Sequence, residues 1–282
     1  MWPMETSPKT RLDAVLRDAC ERVDAADAKA LLAHALGKSP AWLIAHADEA
    51  LDDDALGRFD VLLRSRIDGQ PVAYLVGRRG FWTLDLAVTP DTLIPRPETE
   101  LLVELALSRI PQGAAASRIA DLGTGSGAIA LAIAVERPRC SVVATDASEA
   151  ALRVAQGNAR DNAVANVQFR HGSWFAPLAG ERFDLIASNP PYIANGDAHL
   201  AEGDLRFEPA AALSSGSDGL DDIREIISGA GGFLADRGWL LLEHGLDQGV
   251  AIRELFEAAG FVEIATEQDL ESRDRVTLGR RR

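Results

Sequence analysis

From Arg118 to Gly279 short apolar runs alternate with helical stretches, and no other feature of the 282-residue chain constrains its fold as tightly. The runs "RIADL" (118–122), "SVVAT" (141–145), "VQFRH" (167–171), "FDLIAS" (183–188), "WLLLE" (239–243), "FVEIAT" (261–266) and "RVTLG" (275–279) read as strands. Helical patterns fall over Gly127–Val135, Ser148–Arg160, Asp221–Gly229 and Gly249–Gly260, with one more, Glu98–Ile110, ahead of the first strand. Strands and helices alternating at this spacing predict an α/β domain, an open and mostly parallel sheet covered on both faces. Ligands of such sheets bind beyond the carboxyl ends of the strands.

The first quarter is different. Leu12, Val15, Leu16 and Ala19 recur at helical spacing, as do Ala28, Leu31, Leu32 and Ala35, and Leu56, Phe59, Leu63 and Ile67 continue the pattern. Polar breaks at Gly37–Pro40 and Asp68–Pro71 separate these stripes, which predicts a small helical bundle. From Tyr74 to Ile94 the pattern loosens into aromatic and β-branched residues around Gly77 and Gly80, read here as a bridging β-hairpin. The expected organisation is a helical domain over 1–75, a hairpin over 76–95 and the α/β domain over 96–282.

"DLGTGSG", Asp121 to Gly127, follows the first strand of the sheet and opens a helix, the setting that a nucleotide-type loop requires. Its glycines allow a sharp turn and close approach of backbone to a ligand. Asp146, in "ATDAS", ends the next strand roughly 20 residues later, the offset at which a carboxylate holds a ribose diol. Asp121 is expected to add a second carboxylate at the same rim, unless both acids merely cap the helices that follow them. A diphosphate suits this acidic rim poorly, and the final glycine of the dinucleotide pattern is missing. S-adenosylmethionine, with its ribose, ammonium and sulfonium, suits it better.

"SNPPYI", Ser188 to Ile193, ends the strand "FDLIAS" abruptly, because neither proline can donate to a sheet ladder. The stiff turn leaves the carboxamide of Asn189 beyond the sheet edge, a rigid and mostly uncharged cradle suited to a planar, neutral, polar group. Composition narrows the partners. With 29 basic and 43 acidic residues the chain carries −14, which opposes stable direct binding of nucleic acid. Cys20 and Cys140 form no CxxC, and the five histidines, His34, His46, His171, His199 and His244, form no HxxxH or HExxH pair, so no metal is expected. Neither a signal peptide nor a membrane span is expected, and a cytoplasmic location fits. Arg280, Arg281 and Arg282 read as a solvated tail.

In their order and spacing, "DLGTGSGAIALA", "TDAS" and "SNPPYI" resemble the class I methyltransferases that move a methyl group from S-adenosylmethionine to a planar nitrogen. With "LIPRPETE" (Leu93–Glu100), "GSW" (Gly172–Trp174), "FEPAAAL" (Phe207–Leu213) and the helical N-terminal domain, the whole chain resembles the HemK/PrmC family, the release factor glutamine methyltransferases. The segment "LLEHG" (Leu241–Gly245) departs from the pattern, an apolar residue being expected at His244.

The resemblance implies a Rossmann-like methyltransferase domain on a seven-stranded sheet, with the N-terminal domain recognising substrate. It implies that Gly123, Thr124, Gly125, Ser126 and Gly127 line the methionine end of the cofactor, that Asp146 holds the ribose and that Trp174 packs beside the adenine. A core tryptophan is the other reading of Trp174. Asn189 is implied at both cofactor and substrate. Asn189, Pro190, Pro191 and Tyr192 are implied to hold the glutamine of a GGQ loop in a class I peptide chain release factor. The Asn189 oxygen and the Pro190 carbonyl would accept the two amide hydrogens while Tyr192 packs on the amide plane. Arg96 and Glu98 either close over the cofactor or serve the start of a helix, which favours Pro97 and acids anyway. Two other acceptors present a similar nitrogen, a glutamine of a ribosomal protein and the adenine amine of a nucleic acid.

Overall fold

The protein is described here from a computed structural model covering residues 10–110 and 117–282; the part of the expected helical domain over 1–9 lies outside the described residues. The chain divides into two compact units at Gly77/Arg78.

In the first unit every polar break in the sequence becomes a helix boundary. Helices α1 (Leu12–Cys20), α2 (Ala25–Leu36), α3 (Pro40–Ala45), α4 (Asp53–Ile67) and α5 (Val72–Val76) make up the described part. The side chains of Asp24, Ser39 and Asp52 accept backbone N–H groups at the starts of α2, α3 and α4, and Pro40 takes the first position of α3. Gly37 and Gly77 end α2 and α5 in the left-handed conformation. The apolar stripes meet in one core built on Leu12, Leu31, Leu32, Leu43, Phe59 and Leu63. Ile67, the last residue of α4, is 45% exposed and lies outside that core, so the stripe read in the sequence stops at Leu63.

The second unit begins with an antiparallel hairpin, β1 (Arg78–Phe81) and β2 (Leu84–Ala87), turning through Trp82 at positive φ. The strand pattern expected from Tyr74 onward thus starts later, since Tyr74 lies in α5. The remaining elements are α6 (Thr99–Arg109), β3 (Arg118–Leu122), α7 (Ala128–Glu136), β4 (Ser141–Asp146), α8 (Glu149–Asp161), β5 (Val167–His171), β6 (Phe183–Ser188), α9 (Asp221–Ala230), β7 (Leu234–Glu243), α10 (Gly249–Ala258), β8 (Val262–Gln268) and β9 (Asp274–Arg280). The seven strands of the main sheet run in the order β5-β4-β3-β6-β7-β9-β8. The first five are parallel, while β9 is antiparallel to both β7 and β8.

Successive strand residues feed opposite cores. Leu185, Ala187 and Leu241 pack with α6 and α7 on one face, and Ile186, Leu240 and Leu242 with α9 and α10 on the other. Helix α7 is buried from Ala128 to Ala134, consistent with its unbroken apolar run. Arg280 proves to be part of the sheet rather than of a tail, pairing with Glu263, and the Arg281 N–H donates to Gly238 O at 2.8 Å. No helix among the described residues is long and apolar enough to cross a membrane.

Candidate active site

Strand order reverses between β3 and β6, so the crevice of the sheet opens at their carboxyl ends. The register pairs Leu122 with Ser188, and the Ser188 hydroxyl donates to Leu122 O at 2.7 Å. Gly123 and Asn189 therefore leave the sheet side by side. A cavity of about 500 Å³ lies there, lined by Gly123, Gly125, Asp146, Trp174, Asn189 and Pro191, by Pro90–Leu93, and by Pro209, Ala211 and Ala212.

Three glycines of the β3–α7 turn have positive φ, with Gly123 at +70°. A Cβ there would stand 3.2 Å from the Trp174 ring, so the glycine is what lets the indole lie against the turn. Thr124 and Ser126 are buried and serve the turn itself. The Thr124 hydroxyl donates to Asp121 at 2.6 Å, and Ser126 O accepts from the Asn158 amide at 2.8 Å. Of the five turn residues implied at the cofactor, Gly123 and Gly125 line the cavity.

Asp146 accepts the Gly125 N–H on one oxygen and the Ser148 N–H on the other, both at 2.8 Å. It braces the glycine turn and lines the cavity at once, because each carboxylate oxygen keeps a second lone pair for a ligand hydroxyl, while the helix that follows is capped by Ser148. Asp121 does not reach the rim. It is fully buried beneath the turn, where one oxygen accepts from Thr124 and from the Ala130 N–H at 3.1 Å and the other has no partner. Burial pushes its carboxyl up to about 7 against those hydrogen bonds.

The Asn189 amide nitrogen donates to Thr99 Oγ1 at 3.3 Å, the first residue of α6. Pro190 and Pro191 are buried, and burial raises the Tyr192 hydroxyl pKa well above its usual value. Tyr192 lies beside the core under the turn, its carbonyl accepting from the Gln248 amide at 2.9 Å.

Two sequence motifs far apart in the chain meet over the cavity. Glu208 of "FEPAAAL" is buried, accepts the Ile94 N–H at 3.0 Å, and pairs with Arg96 of "LIPRPETE". Burial raises the Glu208 pKa and Arg96 opposes that rise. Glu98 meets Arg273 at 3.3 Å, and Glu100 accepts the Trp82 N–H at 2.8 Å. Sequence reasoning gave no role to Thr99 or Glu208. Their motifs were legible, but the pairing of Glu208 with Arg96, 112 residues away, has no local signal.

His244, where an apolar residue was expected, is buried with both ring nitrogens occupied. Nδ1 donates to Gly245 O at 2.8 Å, and Nε2 accepts from the Thr277 hydroxyl at 2.8 Å. Burial lowers its pKa, in keeping with a neutral ring. Among the described residues no group of three or more His, Cys, Asp or Glu could hold a metal ion.

Residues 10–77 match the PrmC N-terminal domain family, and residues 98–219 match the Methyltransferase small domain family. A release factor glutamine methyltransferase of Xylella fastidiosa (strain Temecula1) is 58% identical over 267 residues, 95% of this chain and 97% of that protein. The chain belongs to the release factor glutamine methyltransferases. A member from Escherichia coli (strain K12) is 46% identical over 270 residues, 94% of this methyltransferase and 97% of that protein. The solved 16S rRNA N2 G1207 methyltransferase of T. thermophilus, in complex with AdoMet and guanosine, shares the fold of this methyltransferase. Its TM-score is 0.56 at 21% identity, over 73% of this chain and 50% of that one.

The family is one of S-adenosylmethionine-dependent enzymes, and the cavity residues fit that group. Gly123 leaves space beside an aromatic wall, Asp146 has acceptor capacity to spare, and the lining carries no Lys or Arg to repel a sulfonium.

Proposed function

We propose that this enzyme methylates the side-chain nitrogen of the GGQ glutamine in class I peptide chain release factors. The supporting observation is that the Asn189 cradle and the glycine turn share one cavity at adjacent strand ends. Gly123 and Gly125 would hold S-adenosylmethionine by their backbone, Asp146 by its carboxylate and Trp174 by its indole face, with Thr124, Ser126 and Gly127 shaping the turn. When bound, S-adenosylmethionine supplies a methyl group activated by its positively charged sulfur.

A glutamine amide nitrogen is a weak nucleophile because its lone pair is delocalised into the carbonyl. With its nitrogen committed to Thr99, Asn189 presents its side-chain oxygen to accept one amide hydrogen. The Pro190 carbonyl, fixed by the Pro-Pro turn, accepts the other. Holding both hydrogens orients the nitrogen and favours its pyramidal form, and most of the rate then comes from placement. Pro191 and Tyr192 wall the amide from water. The unit over 10–77 is assigned to recognition of the release factor. The net charge of −14 disfavours stable binding of nucleic acid, and a cytoplasmic setting suits a translation factor as substrate.

The test is mass spectrometry of the GGQ peptide from a release factor incubated with the enzyme and S-adenosylmethionine. A gain of one methyl on the glutamine is expected, and Asn189→Ala should cut the rate by roughly 10²–10³-fold, as for loss of one positioned hydrogen-bonding group. Full activity of Asn189→Ala, or preference for an adenine oligonucleotide or a ribosomal protein, would redirect the assignment.

A further inference from the structure

The acceptor cradle is anchored at one end by the sheet, and a side chain from the β7–α10 connection grips its other end. Gln248 is half-buried there, and its carboxamide nitrogen donates to Tyr192 O at 2.9 Å and to Asp218 O at 3.4 Å. Its carboxamide oxygen accepts the Gly245 N–H at 2.9 Å. The end of the double-proline turn, the loop ahead of α9 and the turn after β7 thus meet on one amide. Gly219, at φ +78°, packs against the same carbonyl, since a Cβ there would stand 2.2 Å from Tyr192 O and 2.9 Å from Gln248 Nε2.

We propose that Gln248 is a positioning residue for methyl transfer: its carboxamide fixes the Tyr192 backbone, and with it the downstream wall of the acceptor cradle, so that the Pro190 carbonyl and the Tyr192 ring meet the acceptor amide in register. The inference rests on the assignment of the cradle to the glutamine amide.

A carboxamide suits all three bonds, because it offers two N–H donors to the two carbonyls and an acceptor oxygen to the backbone N–H. Turned over, it would set oxygen against two carbonyl oxygens and NH2 against N–H, so the partners fix its orientation. An ionised carboxylate could still accept from Gly245 but could not donate to Tyr192, and an ammonium could donate but not accept. The side chain does nothing for its own helix. Gln248 holds the N-cap position of α10 yet makes no cap bond there, although Ser, Thr, Asp or Asn would. The link matters because the two ends of the cradle are held differently. Asn189 follows directly on β6, whose register is set by its ladders to β3 and β7. Ile193, at the far end, exchanges backbone bonds with Leu213 and Ser215 at 3.0 and 2.9 Å, partners that belong to a loop. Gln248 ties this loop and the cradle to the turn that leaves β7, and so back to the sheet. Among the described residues neither Gln248 nor its three partners line the cavity, which places its effect on the acceptor and not on the cofactor.

The test uses the full-length enzyme, a class I release factor and S-adenosylmethionine, with turnover read by mass spectrometry and cofactor affinity by calorimetry. Gln248→Glu, which keeps the acceptor for Gly245 and loses the donor to Tyr192, and Gln248→Met, which keeps neither at similar length, are each expected to lower kcat by about 10- to 100-fold, the scale of misplacing a reacting group. Affinity for S-adenosylmethionine should stay within about twofold of wild type in both, a split that a general loosening of the fold would not produce. Gly219→Ala presses on the same carbonyl and should lower kcat likewise. Combined with Gln248→Met it should lose less than the product of the two single losses, because both act on one carbonyl. A kcat near wild type in either Gln248 variant, or a cofactor affinity that falls in step with kcat, would overturn the proposal; if the Gln248 variants fail to fold, Gly219→Ala decides by the same two readouts. Absence of methylation by the unmutated enzyme would instead remove the substrate assignment, and the same variants would then be scored on the acceptor that is methylated.

Discussion

Replacing Arg96 with alanine should damage the cavity without touching anything that lines it. Arg96 pairs with a Glu208 whose side chain is 0% exposed, and Glu208 in turn holds the Ile94 backbone at 3.0 Å. Removing one partner of a buried pair costs about 3–5 kcal/mol, because a charge is left without compensation. The lower end, about 3 kcal/mol, applies here: Arg96 is 29% exposed, so it loses little hydration, and the abandoned carboxyl can take up a proton. Glu208→Gln separates charge from contact. It can keep the bond to Ile94 and should cost less, about 1–2 kcal/mol, the penalty of a weakened buried hydrogen bond. The function follows because Leu93 and Pro209 flank the pair and line the cavity. If about 1.4 kcal/mol of the loss appears as disorder of those two loops, affinity for S-adenosylmethionine falls tenfold. Urea denaturation measures the first quantity and calorimetric titration the second. An Arg96→Ala protein with wild-type stability and affinity would mean that the pair is incidental and that each loop is held independently.

Asp146→Ala should weaken S-adenosylmethionine by about 1.5–3 kcal/mol, the range for hydrogen bonds to a charged group, and unchanged calorimetric affinity in a folded variant would remove Asp146 from the site. Asp121 and Glu243 are both pushed up to about 7, from ordinary values of 3.8 and 4.5, so between those limits the native state binds more protons than the unfolded chain. Their contribution to stability is therefore complete below about pH 4 and is lost as pH rises through about 7. Asp121→Asn, which can still accept from Thr124 and Ala130, should flatten the fall between about pH 4 and 7 in denaturation curves, and a wild-type slope would contradict the burial argument. Association with a release factor that is basic around its GGQ loop should slow as salt rises, given the charge of −14, and a flat rate in stopped-flow measurements would make that charge incidental.

What the sequence made legible was local. The β3 run, the glycine turn and the double proline each announce themselves by periodicity or backbone chemistry, and each stands where expected. Asp121 was misplaced at the rim because alternation along β3 cannot say whether a strand-end carboxylate faces the ligand or the helix that follows; Thr124 and the Ala130 N–H claim it. Tyr74 misled by its aromatic character, since five residues of α5 are too few for a periodic signal. Glu208 was silent for another reason. A buried acid is defined by its partners, and those of Glu208, Ile94 and Arg96, lie on a distant segment that only tertiary packing brings to it.

The hydroxyl of Ser188, bonded to Leu122 O, fastens two strands just where the chain leaves the sheet on either side. Neighbouring strands stand about 4.8 Å apart, a spacing set by backbone hydrogen bonding and not by any side chain. The span from the glycine turn to the Asn189 cradle is thus measured off by the sheet itself. Loops on either side can diverge to admit a different donor or a different acceptor, yet the gap across which a group must jump stays calibrated by a ruler that mutation cannot easily lengthen.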